Sequence, residues 1–341
     1  MDKNILNSIS KDFDENGFVF FRNFFPPDII EKANKEIEDY FLNHKSNHNE
    51  GGGSKFMEWK NPSQQKILDV MIDVYGKCPT LDHLVGQFLE DSTSSEFIKL
   101  VAGNIKLRGY NIQRFTGIID PRPTIGPAPM NHEWHRDAPG EMNIGILLTD
   151  CPGPDNGASA LIKGSQRFPY CPRKNCLLGQ IMYYYDTSLN FFLKFNLFNR
   201  ILARRILKNV TGAYGKKGDV YIFTNDVWHG REANLYGAKV MRMMIGFFPN
   251  DIPFPDKVKE LPQEVLKQLP RSLQKVLLPQ PINEFKNTLM HKILNGQKEP
   301  AFFSLFYLAR MERKIANLLL RTYNYIHSLI AKISNKIKLN Y

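Results

Sequence analysis

Asn131-His132-Glu133-Trp134-His135-Arg136-Asp137 is answered some ninety residues later by Val220-Tyr221-Ile222-Phe223-Thr224-Asn225-Asp226-Val227-Trp228-His229. The first stretch holds a His-x-Asp pair. On a β-strand two residues apart means the same face, so His135 and Asp137 project together. The second stretch follows turn-forming Gly215-Lys216-Lys217-Gly218-Asp219 and reads as a short β-rich run, a turn and a histidine. Two imidazoles and one carboxylate can cap a single face of Fe(II) and leave positions for a co-substrate and dioxygen. His229 must arrive from a distant strand, which requires a closed or rolled sheet.

Beyond His229 and the turn at Gly237, residues 239–248 read as another strand, with Arg242 between Met241 and Met243. A buried cation without an anion is costly. The planar guanidinium fork suits a carboxylate held through two parallel hydrogen bonds. The distal carboxylate of 2-oxoglutarate would supply that anion while the keto-acid end chelates iron.

These residues, with others, resemble the phytanoyl-CoA dioxygenase-like family of Fe(II)/2-oxoglutarate-dependent oxygenases from Asp12 to about Pro249. Phe13-Asp14-Glu15-Asn16-Gly17-Phe18-Val19 followed by Phe24-Phe25 is similar to its opening, and 131–137 to its iron motif. Asn156-Gly157-Ala158 with Gly164-Ser165-Gln166 resembles its Asn-Gly-Ala and Pro-Gly-Ser-His signature, with Lys163 and Gln166 as departures. His229 and Asn234 keep its spacing. The resemblance implies an all-β core with helical cover: a double-stranded β-helix (jelly-roll, cupin-like), with N-terminal helices and a C-terminal helical extension. It implies His135, Asp137 and His229 as metal ligands. The family's arginine commonly falls where Val240 stands; Arg242 is two residues on and keeps its strand phase, whereas Lys239 has the opposite phase. Gln113 stands where family members often place a polar 2-oxoglutarate contact. Iron halogenases of the family replace the carboxylate by a small residue, so Asp137 implies hydroxylation with release of succinate and CO2.

Plainer readings stand beside these. A His-x-Asp pair arises by chance in many chains, His132 is a rival ligand of odd phase, and His229 beside Trp228 could be an ordinary half-buried histidine. His44, His48, His83, His291 and His327 read as surface or helix residues. From a different class, a barrel keeping a metal or sugar site without turnover is the alternative function; the complete triad argues against it.

With 341 residues, 43% hydrophobic and 12% aromatic, the chain can bury a large core. The expected division is an oxygenase domain over 1–255, interrupted by a basic amphipathic insertion at 187–218, and a helical extension over 256–341. Helices are expected from Asp28, with Ile29, Ala33, Ile37 and Phe41 at helical spacing, over 64–88 and over 94–101. Residues 50–54 and the proline-rich 121–129 are expected loops. The four cysteines lack metal-type spacing, the N-terminus has no signal-peptide pattern, and no apolar stretch reaches transmembrane length; a cytoplasmic location is expected.

The net charge of +11 is uneven. Seven Lys/Arg and no acid fall in 187–218, and thirteen Lys/Arg against four Glu in 261–341, so these carry +7 and +9 and the rest −5. Both segments are amphipathic. Phe191, Phe195, Phe198, Leu202 and Ile206 share one helical face. Leu308, Met311, Ile315, Leu319, Tyr323, Ile326, Ile330, Ile333 and Ile337 step by three or four. Two uses remain open: packing on the domain or on a second copy in a homo-oligomer, and lying on an anionic membrane surface, on the inner face of the membrane. No nucleic-acid-binding motif accompanies the basic charge. The substrate class expected is organic, hydrophobic or lipid-linked, with a soluble metabolite or acyl thioester second.

Overall fold

The structure is a computed structural model. It describes residues 3–43, 55–60, 66–72, 75–115, 136–137, 139–168, 201, 208–232, 234–237, 239–249, 261–277 and 287–297, and positions 311, 315, 318, 321, 322, 325 and 326. His132, His135 and the proline-rich 121–129 lie outside them, as do 50–54 and all of 187–207 except Ile201.

Helix α1 (Lys3–Asn16) runs into strand β1 (Phe18–Phe21), and α2 (Pro27–Asn43) follows with Ile30, Ala33, Ile37 and Phe41 buried. The spacing of those four residues makes one apolar stripe, as the sequence leads one to expect, with Ile29 only partly buried at its margin. After β2 (Lys55–Lys60) and β3 (Lys66–Ile72) come α3 (Pro79–Glu90) and α4 (Ser92–Ala102). Asp91 caps α4 by accepting from the backbone amides of Thr93 and Ser94. The helix expected over 64–88 therefore forms only in its second half. Its first half, a run of Ile, Leu, Val and Met too short to distinguish helical from strand periodicity, is instead drawn into hydrogen bonding along the edge of the next strand.

Seven strands form one antiparallel sheet in the order β1-β8-β5-β10-β4-β3-β2, where β4 is Ile105–Phe115, β5 Met142–Leu147, β8 Val220–Thr224 and β10 Val240–Pro249. A second, three-stranded sheet has the order β7-β6-β9, with β6 Ser159–Ile162, β7 Val210–Gly212 and β9 His229–Arg231. All five residues of β8 are buried, because one face meets helices and the other meets the second sheet.

Two cores result. Odd-numbered Met241, Met243, Ile245 and Phe247 of β10 join Leu81, Leu84, Phe88, Phe97 and Ile37 in a large apolar cluster between sheet and helices. Between the sheets lies a smaller cluster that includes Phe18, Leu147, Leu161, Tyr221, Phe223 and Val227, with Met244 packed against it. Gly145 of β5 gives Tyr221 its place, since a Cβ there would lie 2.1 Å from the phenol ring.

Three short helices follow: α5 (Gln263–Gln268), α6 (Arg271–Leu277) and α7 (Leu289–Asn295). Leu269, Leu273, Met290 and Ile293 enter the first core, and the Ser272 hydroxyl donates to the Gly86 carbonyl at 3.1 Å. The described residues 261–277 and 287–297 thus pack against the first core. The described positions from 311 to 326 are helical and exposed. Among the described residues no helix is long and apolar enough to cross a membrane.

Candidate active site

His229 opens β9, and its placement begins at the N-terminus. Gly17 ends α1 at φ +81°, where a Cβ would lie 2.2 Å from a Val227 methyl. The backbone of Thr224 donates to the Gly17 carbonyl at 3.0 Å. The opening Phe13–Gly17 motif is therefore the floor on which the 224–229 turn rests. From that turn the Val227 carbonyl lies 2.9 Å from His229 Nδ1. An acceptor there fixes the proton on Nδ1 and leaves the lone pair on Nε2. Phe223 braces the ring edge-on, with centroids 5.0 Å apart.

Asp137 is brought to this nitrogen. Its Oδ2 lies 3.4 Å from His229 Nε2. Arg136 does the positioning: it is buried, donates to the Phe168 carbonyl at 3.0 Å and to the Ser165 carbonyl, and lies over Trp228. Ser165 Oγ in turn accepts from the Trp228 amide at 2.8 Å. Arg136 and Asp137, which lie in no strand although the sequence leads one to expect one there, and the His229 turn are thus clamped to the same short segment, 165–168. The expected third ligand, His135, is outside the described residues, and among those described no group of three metal-ligating side chains occurs.

Two buried carboxyls border the site. Glu141 takes two hydrogen bonds from Arg108 at 2.6 and 2.8 Å. Burial pushes its carboxyl up, Arg108 opposes this, and nearby Asp137 adds to the rise. Asp226 accepts from the Gly140 amide at 3.0 Å, from Thr224 Oγ1 at 3.1 Å and from Gln297 Nε2 at 3.3 Å. Burial outweighs these bonds and raises its pKa too.

The even face of β10 places Arg242 between the sheets, buried, beside Gln113 of β4, its register partner. Arg242 Nε donates to Gln113 Oε1 at 3.0 Å, and Nη1 donates to Ser159 Oγ at 2.6 Å. Ser159 Oγ also lies 2.8 Å from the buried Tyr221 hydroxyl. Lys239, the alternative cation, lies just before the strand and pairs with Glu38 on the helical side. Arg231, which the sequence reading passed over, shares this interior. Its Nη2 donates to Gln113 Oε1 at 3.2 Å, and its guanidinium carbon stands 3.8 Å from the Phe115 ring centroid. Burial, and then Arg242, pulls its pKa well below that of an ordinary arginine. The signal was present, because Arg231 follows His229 by two residues on one strand.

The donor set suits the groups the sequence implies. One imidazole nitrogen with its tautomer fixed and one carboxylate oxygen 3.4 Å away are close to the span of adjacent ligands on one ion with bonds of roughly 2 Å. A guanidinium held by neutral amide and hydroxyl oxygens keeps its charge for an anion.

The sequence pattern of the phytanoyl-CoA dioxygenase (PhyH) family matches residues 13–243. The chain belongs to this family. It is accordingly an Fe(II)/2-oxoglutarate-dependent enzyme. No curated protein matches the chain. Among solved structures it is similar to AviO1 from Streptomyces viridochromogenes Tue57, at 15% identity over 73% of this chain and 96% of that one, with a TM-score of 0.49. SnoN, the non-heme alpha ketoglutarate dependent epimerase from nogalamycin biosynthesis, matches at 11% identity over 75% and 88% of the two chains, TM-score 0.49. HygX from Streptomyces hygroscopicus, with nickel and 2-oxoglutarate bound, matches at 15% identity over 72% and 87%, TM-score 0.45.

Proposed function

We propose that this enzyme hydroxylates an unactivated C–H bond of an organic, hydrophobic or lipid-linked substrate, with release of succinate and CO2. His135, Asp137 and His229 would hold Fe(II), and Arg242 with Gln113 would hold 2-oxoglutarate. When bound, the iron and its co-substrate supply the oxidising power for C–H cleavage. The protein's own work is positional. Val227 fixes the His229 tautomer, Arg136 anchors the segment that bears Asp137, and Ser159 with Gln113 aims the Arg242 fork. The observation that carries the reading is the proximity of His229 Nε2 to Asp137 within the same fold interior that buries Arg242. Asp137 fills the position a halogenase leaves open, which favours hydroxylation.

Anaerobic titration with Fe(II) and then 2-oxoglutarate tests this. The visible charge-transfer band of the chelate should appear, and air should then yield succinate. Fe(II) binding with neither band nor succinate would support the alternative, a metal- or sugar-binding barrel without turnover.

A second reading concerns the division at 255 and 256 and the basic segments at 187–218 and 256–341. We infer that residues beyond 297 lie on the anionic inner surface of a membrane. Met311, Ile315, Leu318 and Tyr325 step by four, three and seven residues along one helical face, and all are exposed, Tyr325 by 68%. The surrounding charge is of one sign beyond Glu312, and each Lys or Arg near an anionic leaflet contributes roughly 1 kcal/mol. Flotation on anionic vesicles, weakened by salt and lost on truncation after Asn295, is expected. A salt-insensitive homodimer that hides the stripe and does not float would overturn it.

A further inference from the structure

Gln297 lies well beyond the family-matched stretch, which ends at 243, yet it reaches the frame of the proposed iron site. Helix α7 presents it. Thr288 caps that helix by accepting from the His291 amide, Met290 and Ile293 seat it in the first core, and Gln297 follows Gly296 just past its end. Gln297 Nε2 donates to two acceptors, the Gln166 carbonyl at 3.1 Å and Asp226 Oδ1 at 3.3 Å. A primary amide nitrogen carries two hydrogens, enough for both bonds. Since both neighbours are acceptors, only one orientation of the amide satisfies them.

Each acceptor belongs to a tie between the segments that carry Asp137 and His229. Asp226 is fully buried and stands three residues before His229. Its Oδ2 accepts from Thr224 Oγ1 and from the amide of Gly140, three residues after Asp137. Its carboxyl thus fastens the Asp137 segment to the His229 turn. Gln166 lies in the 165–168 segment, whose carbonyls hold Arg136 beside Asp137 and whose Ser165 hydroxyl holds the Trp228 amide beside His229. One side-chain amide therefore joins both ties, behind Asp137 Oδ2 and His229 Nε2 at their 3.4 Å separation. Without its donors a buried carboxyl oxygen would lose a partner, which is costly, and the carboxyl could turn and carry Gly140 with it. We propose that Gln297 is a positioning residue for the iron site, through which the segment after α7 sets how firmly the metal is retained. This rests on the Fe(II) reading above.

The competing role is a strap that steadies α7 and nothing more. Metal release separates the two. The full chain is loaded anaerobically with Fe(II) and mixed with an excess of a ferrous chelator, and the unfolding midpoint of the metal-free protein is measured beside it. Partners bonded directly to metal ligands commonly change metal affinity by roughly ten- to a hundredfold when removed. Gln297 acts one step further out. Gln297→Leu keeps the bulk and removes both donors, so it should release Fe(II) roughly fivefold faster, with the midpoint little changed. Gln297→Glu sets an acceptor against Asp226 and should release Fe(II) faster still; it carries the comparison if the leucine variant does not fold. Thr288→Ala strips the α7 cap, so it should lower the midpoint yet leave release within about twofold of wild type. Wild-type release from both Gln297 variants, or an equal acceleration in Thr288→Ala, would overturn the inference and leave a strap. Wild-type protein that takes up no Fe(II) would sink the iron reading and this inference with it.

Discussion

The two faces of β10 meet different worlds. Met241, Met243, Ile245 and Phe247 point into an apolar core closed by helices, whereas Arg242 points between the sheets to Gln113, Ser159 and Arg231. The first region needs only volume and hydrophobicity, and its members are interchangeable within limits. The second needs particular atoms at particular distances, because each buried polar group there depends on a partner. Since strand side chains alternate, a slip of one residue would exchange the two sets. Fold stability and site chemistry are therefore written on the same ten residues of β10 but can be damaged separately.

The largest effect should come from the inner region. His229→Ala or Asp137→Ala should abolish Fe(II) uptake and 2-oxoglutarate turnover, since a methyl group cannot replace either donor, while thermal unfolding shifts by only a few degrees. Retained iron binding in both variants would remove the pair from the ligand set. Next, Arg242→Ala should weaken 2-oxoglutarate binding by on the order of 3–5 kcal/mol, the cost of leaving a buried charge without its partner, with Fe(II) affinity nearly unchanged. Lys239→Ala, on the helical side, should do neither.

The outer region should give the mirror image. Met243→Ala should lower unfolding free energy by about 3 kcal/mol through a cavity among helices and sheet, yet leave 2-oxoglutarate affinity within a few-fold. Denaturant titration beside calorimetry checks both halves, and a loss of affinity equal to that of Arg242→Ala would merge the two regions.

The smallest effect is electrostatic. Asp226 has its pKa raised in the folded protein, chiefly by burial. A carboxyl raised on folding contributes stability below its unfolded pKa that is lost as pH rises through the folded value. Asp226→Asn should therefore gain stability relative to wild type as pH climbs above the ordinary carboxylate range. A difference independent of pH would show that Asp226 is not protonated on folding.

Much of this contrast was legible in the amino-acid order. Strand alternation separates Arg242 from Met241 and Met243, whereas its place opposite Gln113 comes from the pairing of β10 with β4, and Asp137 and His229 lie 3.4 Å apart. Helix α2 was readable because four apolar residues repeat on one stripe. Lys66–Ile72 was misread as helix, since its identity is decided by pairing with β4 rather than by its own periodicity. The local signal of Arg231 is its phase alone, two residues after His229 on one strand, and phase says which face it takes but not what it meets. Its meaning comes from Gln113, 118 residues away. Arg136 likewise gains its role only through Ser165 and Phe168, which the turn after β6 delivers.

The strand order has a further consequence for how the chain acquires its activity. β1 pairs with β8, and β4 pairs with β10, so the large sheet is knitted from segments some 130 to 200 residues apart. Contacts of such long sequence separation form slowly, because the loop entropy must be lost before any contact rewards it. On the ribosome, Asp137 emerges well before His229, and Gln113 well before Arg242. The nascent chain can have its helices and half of its strands and still lack part of the site proposed for iron and part of that proposed for 2-oxoglutarate. On the proposed assignment, competence for oxidation would require β8 to β10 to be in place, and a product truncated before His229 would lack part of the proposed iron site.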